Sequence, residues 1–373
     1  MTTSFTKQTG FDYSDFIKPT LIKEYLPNYI PFIQNKDFLG HYINYKTDYF
    51  IPNEIAIRFP QILLNEKCLL ISISGAIGNV AVFNHSQDAF IGGAIAVLKF
   101  KEKKSLDFVM HFLMSTSGQK LLLNGVKSSS HKNLTIADLR DLLIPLPPLN
   151  EQSAIANILS DLDRYLYALD ALILKKEGVK KALSFELLSQ RKRLKGFNQA
   201  WQRVRLGDIA NYLTSNLSAE QITQQGKIKV YDVNNFIGYT DTTFISDKPY
   251  ISIVKDGSVG RVRILPPKTN ILSTMGALIA NHRTTTEFLF YLLSNFDFKN
   301  FTSGSIIPHI YFKDYKEKTI FLPPLNEQSA IANILSALDN EITSLKNKKR
   351  QFENIKKALN HDLMSAKIRV LKK

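Results

Sequence analysis

The chain has 373 residues, of which 44% are hydrophobic, so it is long enough for roughly two domains with buried cores and is not a wholly disordered polypeptide. Its 48 Lys and Arg exceed its 33 Asp and Glu, and the formal net charge of +15 fits either plain solubility or a polyanionic partner such as DNA. The lone Cys68 excludes a disulfide framework and a Cys-based zinc site, and the lack of an ~18-residue apolar run or a secretory signal predicts a cytoplasmic protein with no membrane partner.

The first 145 residues predict a globular segment of mixed α and β structure. Short β-branched and aromatic runs at 69–73 and 94–100 are broken by Gly, Asn, Asp and Pro, which is typical of strands. A helix is predicted around 106–114. Gly75 and Gly78 follow the first strand and indicate a tight turn that needs unusual φ values.

A long helix is predicted next, and it occurs twice in the chain. The sequence LPPLNEQSAIANILS stands at 146–160 and again at 322–336, and the ungapped match continues to KKAL at 180–183 and 356–359. The Pro-Pro pairs mark the helix starts, Asn150 and Asn326 are candidate N-caps, and the following Glu suits the first turn. Apolar residues then recur at alternating spacings of three and four, which predicts a coiled-coil seam. The predicted seam residues are Leu159, Leu162, Leu166, Leu169, Ile173, Val179, Leu183, Leu187, Leu335, Leu338, Ile342, Leu345, Phe352, Ile355, Leu359 and Leu363.

The segment between the two helices, residues 201–321, predicts a second globule of the same texture. Strands are predicted at 228–233 and 251–254, and a helix around 286–294. Gly257 and Gly260 correspond to the first Gly pair, and a polar Ser- and His-containing stretch precedes each final strand. Two unlike globules and two matching helices, if the helices pair antiparallel, suit a split DNA site with two unlike halves.

These features resemble the specificity (S) subunit of type I restriction-modification enzymes, over nearly the whole chain. The resemblance rests on the doubled Pro-Pro-Leu-x-Glu-Gln helix start, the later Lys-Lys-Ala-Leu, the Gly-x-x-Gly turns and the opening WQRVRLGDI of the second globule. It implies an α+β fold with two globular α/β target recognition domains separated by a long antiparallel two-helix coiled coil, in a pseudo-two-fold internal repeat. The expected boundaries are 1–145 and 201–321 for the recognition domains, and 146–200 and 322–373 for the helical repeat regions.

The resemblance also implies partners and one departure. The partners are double-stranded DNA with a bipartite target, two modification (methyltransferase) subunits, and restriction subunits in the full complex. Methyl transfer and cleavage would belong to those subunits, so we predict no catalytic residue, cofactor or metal in this chain. The first globule lacks a counterpart of WQRVRLGDI, which we interpret as a variable N-terminal edge; a first domain that no longer reads DNA is the alternative.

Enzyme motifs are missing from the sequence. Both Pro-Pro pairs are flanked by Leu and not by the Asp or Asn and the aromatic residue of adenine methyltransferases, and no phosphate loop, GxSxG elbow or HExxH pair occurs. A coiled-coil scaffold that binds protein through its globules remains the principal alternative to DNA recognition, and it predicts no salt-dependent DNA affinity.

Candidate contact residues follow from the chemistry of DNA and from the repeat. Base edges and phosphates are contacted by Arg, Lys, Asn, Ser and similar donors. In the polar stretches and near the second turn, the candidates for DNA binding are Lys127, Ser129, Ser130, His131, Lys132, Asn133, Ser303, Ser305, His309, Tyr311 and Lys313, with Arg261, Arg263 and Arg283 as phosphate clamps. The identical helix starts are expected to face partner subunits through Asn150, Glu151, Gln152, Ile155, Ile158, Asn326, Glu327, Gln328, Ile331 and Ile334.

Overall fold

The structure is a computed structural model that describes residues 3–7, 12–124 and 133–371. The chain divides into two compact units. Unit 1 comprises Met1–Leu169 with Lys348–Lys373, and unit 2 comprises Asp170–Asn347. Each unit therefore contains one globule together with parts of both long helices.

Unit 1 is built on a four-stranded antiparallel sheet in the order β1-β10-β7-β8 and a second sheet in the order β5-β2-β9-β6. Its strands are β1 (Thr3–Lys7), β2 (Tyr29–Ile33), β3 (Phe38–Leu39), β4 (Tyr42–Ile43), β5 (Phe50–Pro52), β6 (Leu63–Leu64), β7 (Cys68–Ser72), β8 (Val80–Phe83), β9 (Ala89–Ile91) and β10 (Ile95–Phe100). Its shorter helices are α1 (Asn53–Ala56), α2 (Leu106–Met114), α3 (Thr116–Asn124) and α4 (Ile136–Arg140).

The two long helices have the same length. Helix α5 (Leu149–Leu188) and helix α8 (Leu325–Met364) each span 40 residues, which corresponds to about 60 Å at 1.5 Å per residue. Each begins after its Pro-Pro pair, as predicted. The Pro148 carbonyl accepts the first helical hydrogen bond from Gln152 N at 2.9 Å, so Asn150 lies inside the first turn and is not the N-cap.

Unit 2 repeats the topology of unit 1. Its main sheet has the order β12-β18-β15-β16, and its second sheet has the order β14-β13-β17. In both units the second sheet contains one parallel pair, β2 with β9 and β13 with β17. The strands are β11 (Gln202–Arg205), β12 (Ala210–Thr214), β13 (Ile228–Tyr231), β14 (Phe236–Thr240), β15 (Tyr250–Val254), β16 (Val262–Leu265), β17 (Thr269–Ile271), β18 (Met275–Ala280), β19 (Thr302–Ser303), β20 (His309–Ile310) and β21 (Thr319–Leu322), and the helices are α6 (Thr286–Ser294) and α7 (Phe312–Tyr315).

An inner strand of each main sheet, β7 in unit 1 and β15 in unit 2, is buried on both faces. Every residue of β7 and of β15 is buried, and alternate residues of each strand belong to different hydrophobic clusters. Because successive side chains of a strand point to opposite faces, each sheet separates two cores. One core includes α2 or α6 and the long helices: Ile155, Leu159 and Leu363 in unit 1, and Leu187, Ile331 and Leu335 in unit 2.

Within each unit the long helices pack antiparallel. In unit 2, Lys176 Nζ lies 2.7 Å from Glu341 Oε1, and Lys180 contacts Asp339. In unit 1, Lys356 contacts Asp163, and the rings of Tyr165 and Phe352 lie 4.7 Å apart. The α+β fold class with two globules, paired antiparallel helices and an internal repeat is confirmed.

Two predicted seam residues do not lie in the seam. Val179 and Ile355 stand at equivalent positions of the repeat and are 46% and 51% exposed. The neighbouring Lys180 and Lys356 make the interhelical contacts instead. The predicted apolar register is therefore wrong at this point, because ion pairs replace it.

Candidate nucleic-acid interface

The turn after β15 meets the segment that precedes α7. Gly257 N donates a hydrogen bond to Pro308 O at 2.9 Å, and Ile310 N donates one to Lys255 O at 2.9 Å. Asp256 and His309 pair as an isolated antiparallel bridge. These backbone contacts bring the second Gly pair and the predicted polar stretch of unit 2 into one surface.

This surface presents several hydrogen-bond donors. His309 Nδ1 lies 2.6 Å from Asp256 Oδ1, and the side chains of both residues are about one-third exposed. The ring of Tyr311 stacks against that of His309 with a centroid distance of 6.4 Å, and Lys313 Nζ lies 5.5 Å from the Tyr311 ring. Ser303 and Ser305 are exposed on the same connection. The contact with Asp256 orients the imidazole while leaving part of it accessible.

Arg261, directly before β16, and Arg263, within it, are held by the turn between β13 and β14. Arg261 Nη2 donates to Asn234 Oδ1 at 2.9 Å, and Arg263 Nη1 donates to Asn234 O at 2.5 Å. The Arg263 guanidinium also lies 5.0 Å from the centre of the Tyr231 ring. Arg261 is exposed, so its remaining donors can reach an anionic ligand.

Arg283 lies elsewhere in unit 2. Arg283 follows the C-terminal end of β18, which lies beside the start of the antiparallel strand β15. The Gly257 turn follows the C-terminal end of β15, at the opposite end of the sheet. Its Nη2 donates to Gln202 Oε1 at 3.2 Å, and its carbonyl accepts from Gln328 Nε2 at 2.9 Å. The turn that His309 contacts thus leads into Arg261, whereas Arg283 lies at the opposite end of the sheet.

Unit 1 has the same turn with different side chains. Ser74 and Asn133 pair as Asp256 and His309 do in unit 2, and Leu134 N donates to Ile73 O at 2.9 Å. Asn133 therefore takes the position of His309 in this turn. The other predicted contacts of this domain, Lys127, Ser129, Ser130, His131 and Lys132, lie outside the described residues.

One residue near the unit 1 turn, Asn35, was not predicted as part of the site. Asn35 Nδ2 donates to Ser74 O at 2.6 Å, and its Oδ1 is buried without a partner among the described residues. Asn35 lies in the connection after β2, far from the turn in sequence, so no local signal could have indicated it.

Part of each identical helix start is buried within its own unit. In unit 2, Arg193 donates to both carboxylate oxygens of Glu327, at 3.2 and 2.6 Å, and Trp201 Nε1 donates to Glu327 Oε2 at 3.0 Å. In unit 1, Arg369 binds Glu151 in the same bidentate way, at 3.2 and 2.8 Å. The contact with Arg369 holds the pKa of Glu151 below its ordinary value.

Burial extends to the neighbouring predicted partner contacts. Gln328 donates to Pro323 O and accepts from Thr284 Oγ1 at 2.9 Å, and Gln152 donates to Pro147 O at 2.6 Å. The predicted residues that the structure buries inside their own units are Glu151, Gln152, Ile155, Glu327, Gln328 and Ile331. Contacts within each unit thus account for their identity in the repeat. The predicted residues that keep accessible surface are Asn150, Ile158, Asn326 and Ile334.

A buried polar cluster lies beside the helix pair in unit 1. His41 Nε2 is 3.4 Å from Asp163 Oδ2, and His111 Nε2 is 3.0 Å from Ser160 Oγ. Burial lowers the pKa of His111 to about 3 and also lowers that of His41. In unit 2, Tyr291 takes the place of His111 and donates to Asp339 Oδ2 at 2.9 Å. Asp163 and Asp339 are equivalent in the repeat, as are Lys180 and Lys356, but the ion pairs that these residues form between the two helices were not predicted.

The described ranges contain neither a metal-binding cluster nor a membrane-spanning helix. Within residues 3–7, 12–124 and 133–371, no group of three or more His, Cys, Asp or Glu side chains is placed to hold a metal ion. In the same part of the chain, no helix is both long and apolar enough to cross a membrane.

A family comparison identifies the duplicated architecture. The model described as "type I restriction modification DNA specificity domain" matches residues 17–176 and 198–354. The chain therefore belongs to the family of DNA specificity subunits of type I restriction-modification systems, and the predicted family and function are confirmed.

Individual relatives agree with this assignment, and a solved structure has the same fold. A putative type I restriction enzyme MjaX specificity subunit from Methanocaldococcus jannaschii is 28% identical over 322 residues, covering 79% of this chain and 76% of the relative. The type I restriction enzyme MjaVIII specificity subunit of the same organism is 23% identical and covers 95% and 92%. The crystal structure of a type I S subunit from M. genitalium superposes with a TM-score of 0.61 at 20% identity, covering 96% of both chains, and shows the same fold.

Proposed function

We propose that the two units read the two halves of a bipartite target in double-stranded DNA. Residues 1–145 and 201–321 act as the two target recognition domains, and the helical regions 146–200 and 322–373 set the spacing between the half-sites. The main support is that both units have the same topology around the turn, while the side chains there differ: Ser74 and Asn133 against Asp256 and His309. One backbone with two sets of side chains suits two different base sequences.

The proposed contacts in unit 2 divide by chemistry. Exposed or half-exposed donors on the 302–313 connection suit base edges: Ser303, Ser305, His309 and Tyr311. Cations suit phosphates: Lys313 lies beside Tyr311, Arg261 and Arg263 follow the turn that His309 contacts, and Arg283 would contact the DNA backbone at a separate place. In unit 1 the proposed contacts are Lys127, Ser129, Ser130, His131, Lys132 and Asn133.

We further propose that this chain binds partner subunits and that catalysis belongs to them. Two modification subunits dock on the helical regions, through the accessible residues of the helix starts, and restriction subunits join for cleavage. Methyl transfer and DNA cleavage then belong to the partners, and this chain needs no cofactor. The site of action is the cytoplasm, where these subunits meet DNA.

Methylome sequencing of the source organism, with and without this gene, tests the function. We expect one bipartite adenine motif to lose methylation when the gene is deleted. An unchanged methylome, together with no salt-dependent binding of duplex DNA by the assembled complex, would favour the protein-binding scaffold instead.

A matched pair of histidine variants tests the site. In the complex with modification subunits, His309→Ala should lower methylation of the motif or relax one half-site while leaving the other half-site specified. His282→Ala, which removes an exposed histidine after β18, is the control and should behave as the parent. Equal methylation profiles for both variants would contradict the assignment of His309.

A further inference from the structure

A short two-stranded hairpin in unit 2 carries an exposed apolar tip. Strands β19 and β20 pair antiparallel, with Ser303 opposite His309, and residues 304–308 join them. Within this connection Ile306 is 92% exposed and Ile307 is 54% exposed. Among the large hydrophobic side chains that the structure describes, that of Ile306 has the greatest exposed fraction. Packing within unit 2 therefore does not account for this side chain.

Backbone pairing holds the hairpin against the turn that follows β15. His309 lies opposite Ser303 on one side and opposite Asp256 on the other, so β20 lies between β19 and that turn. Gly257 N also donates to Pro308 O at 2.9 Å, at the end of the connection. The tip is thus attached on the surface where the proposed base contacts of unit 2 are found.

The start of the connection is equally constrained. Gly304 has a φ of +91°, and a Cβ at this position would lie 2.2 Å from Ile307 O, so the bend is closed too tightly for any other residue. Isoleucine is β-branched, which restricts its χ1 rotamers. Because the backbone and the side chain are both stiff, Ile306 loses little conformational freedom when it contacts a ligand.

The surroundings of the tip match the major groove of DNA. A two-stranded β-ribbon fits this groove, which is about 12 Å wide. Hydroxyl and imidazole donors flank Ile306, because Ser303 and Ser305 are exposed and the side chain of His309 is 35% exposed. These donors suit polar base edges, whereas the side chain of Ile306 forms no hydrogen bond. The apolar group that the major groove presents is the C5-methyl group of thymine.

We propose that the β19–β20 hairpin enters the major groove of the half-site that unit 2 reads, and that Ile306 contacts the C5-methyl group of a thymine there. Ile306 is then a specificity-determining residue for an A·T pair. The inference rests on the proposed DNA recognition by unit 2 and adds one apolar contact to its polar ones. The contact removes the methyl group and part of the isoleucine from water, which favours thymine over cytosine or uracil at that position.

Removing the methyl group from the DNA tests the contact without changing the protein. The full chain, assembled with modification subunits, is titrated with duplexes that carry the bipartite target found by methylome sequencing. Each thymine of the two half-sites is replaced in turn by deoxyuridine, which pairs with adenine in the same way but lacks the C5-methyl group. From the burial of one methyl-sized group, we expect about fourfold weaker binding at the contacted position. Equal binding of all the deoxyuridine duplexes would overturn the proposal.

Variants of the chain assign the methyl contact to Ile306. With Ile306→Ala, the thymine and deoxyuridine duplexes should bind within about 1.5-fold of each other, because the shorter side chain no longer reaches the methyl group. The control Ile57→Ala, at a position 58% exposed in unit 1, should keep the difference of about fourfold. A difference that persists in Ile306→Ala would overturn the assignment.

Two other outcomes have distinct meanings. If Ile306→Ala weakens the binding of every duplex by the same factor, the thymine contact is overturned, and an apolar wedge between base pairs is indicated instead. If the parent complex binds no bipartite target, the proposed DNA recognition fails, and the thymine contact fails with it. Specific binding of the target without sensitivity to deoxyuridine overturns the thymine contact alone.

Discussion

The buried carboxylate of Glu327 offers a sharp test of the packing in unit 2. Its side chain is 0% exposed and accepts three hydrogen bonds, two from Arg193 and one from Trp201. Glu327→Gln keeps the size of the side chain but removes the charge and places an amide donor against the guanidinium. The repeat supplies a matched control, Glu151→Gln, in an identical stretch of sequence.

The contacts of Glu327 set the expected loss in the free energy of unfolding of unit 2. Hydrogen bonds to charged groups contribute about 1.5–3 kcal/mol each, and removing one member of a buried ion pair costs about 3–5 kcal/mol. Arg193 is 27% exposed and glutamine retains one acceptor oxygen, so water and the amide compensate part of this cost. We expect Glu327→Gln to lower the free energy of unfolding of unit 2 by about 2–3 kcal/mol.

Urea unfolding followed by tryptophan fluorescence measures this loss in the correct unit. Trp201 is the only tryptophan and contacts Glu327, so its emission reports on unit 2. With urea m-values of about 1–3 kcal/mol/M, the midpoint should fall by about 1 M. Glu151→Gln, which acts in unit 1, should leave this transition nearly unchanged. An equal shift for both variants, or none for Glu327→Gln, would refute the reasoning.

Two further perturbations test other parts of the packing. Burial lowers the pKa of His111 to about 3 in the folded chain, whereas in the unfolded chain it is about 6.5. Because the unfolded chain is therefore protonated at a higher pH than the folded chain, unit 1 loses stability as the pH falls from about 6.5 toward 3. His111→Tyr introduces the residue that unit 2 has at this position. Between pH 7 and 5, the variant should lose about 2 kcal/mol less unfolding free energy than the parent, as measured by urea titrations at the two pH values. An equal loss in the variant and the parent would contradict this prediction. Gly257 and Gly260 have φ values of +81° and +80°, but a Cβ on Gly260 would lie 2.7 Å from Phe298 Cδ2 whereas one on Gly257 meets nothing within 4 Å. Thermal unfolding should therefore show a loss of about 1 kcal/mol for Gly257→Ala and at least about 1 kcal/mol more for Gly260→Ala, and equal losses would argue against the close contact.

Several elements were predictable because their signals are local. The predicted helices at 106–114 and 286–294 match α2 and α6, and the predicted strands at 69–73 and 251–254 lie within one residue of β7 and β15. The long helices begin beside their Pro-Pro pairs, as predicted, and each is continuous over 40 residues. Periodicity and breaker residues act within one or two turns of chain, so the sequence alone carries them.

The roles of the repeated residues were harder to predict. Identity of the helix starts suggested a surface for partners, whereas Glu151, Gln152 and Ile155 are buried against their own unit. Identity cannot distinguish a conserved internal contact from an external one, because both restrict side chains equally. The ion pair of Asp163 with Lys356, 193 residues apart, replaces apolar seam packing at a place where the apolar spacing indicated Ile355.

The amino-acid sequence by itself determined the doubled organisation, the start of both long helices, the two unlike α+β globules and the family. A fifteen-residue repeat and regular apolar spacing are properties of neighbouring residues, so they can be read without the tertiary structure. Only the tertiary structure decided that Asn133 occupies the place of His309, that Arg369 reaches Glu151, and that Arg193 and Trp201 both bind Glu327. These contacts join residues dozens to hundreds of positions apart. Their geometry depends on how sheets and helices pack together, and local propensity does not encode it.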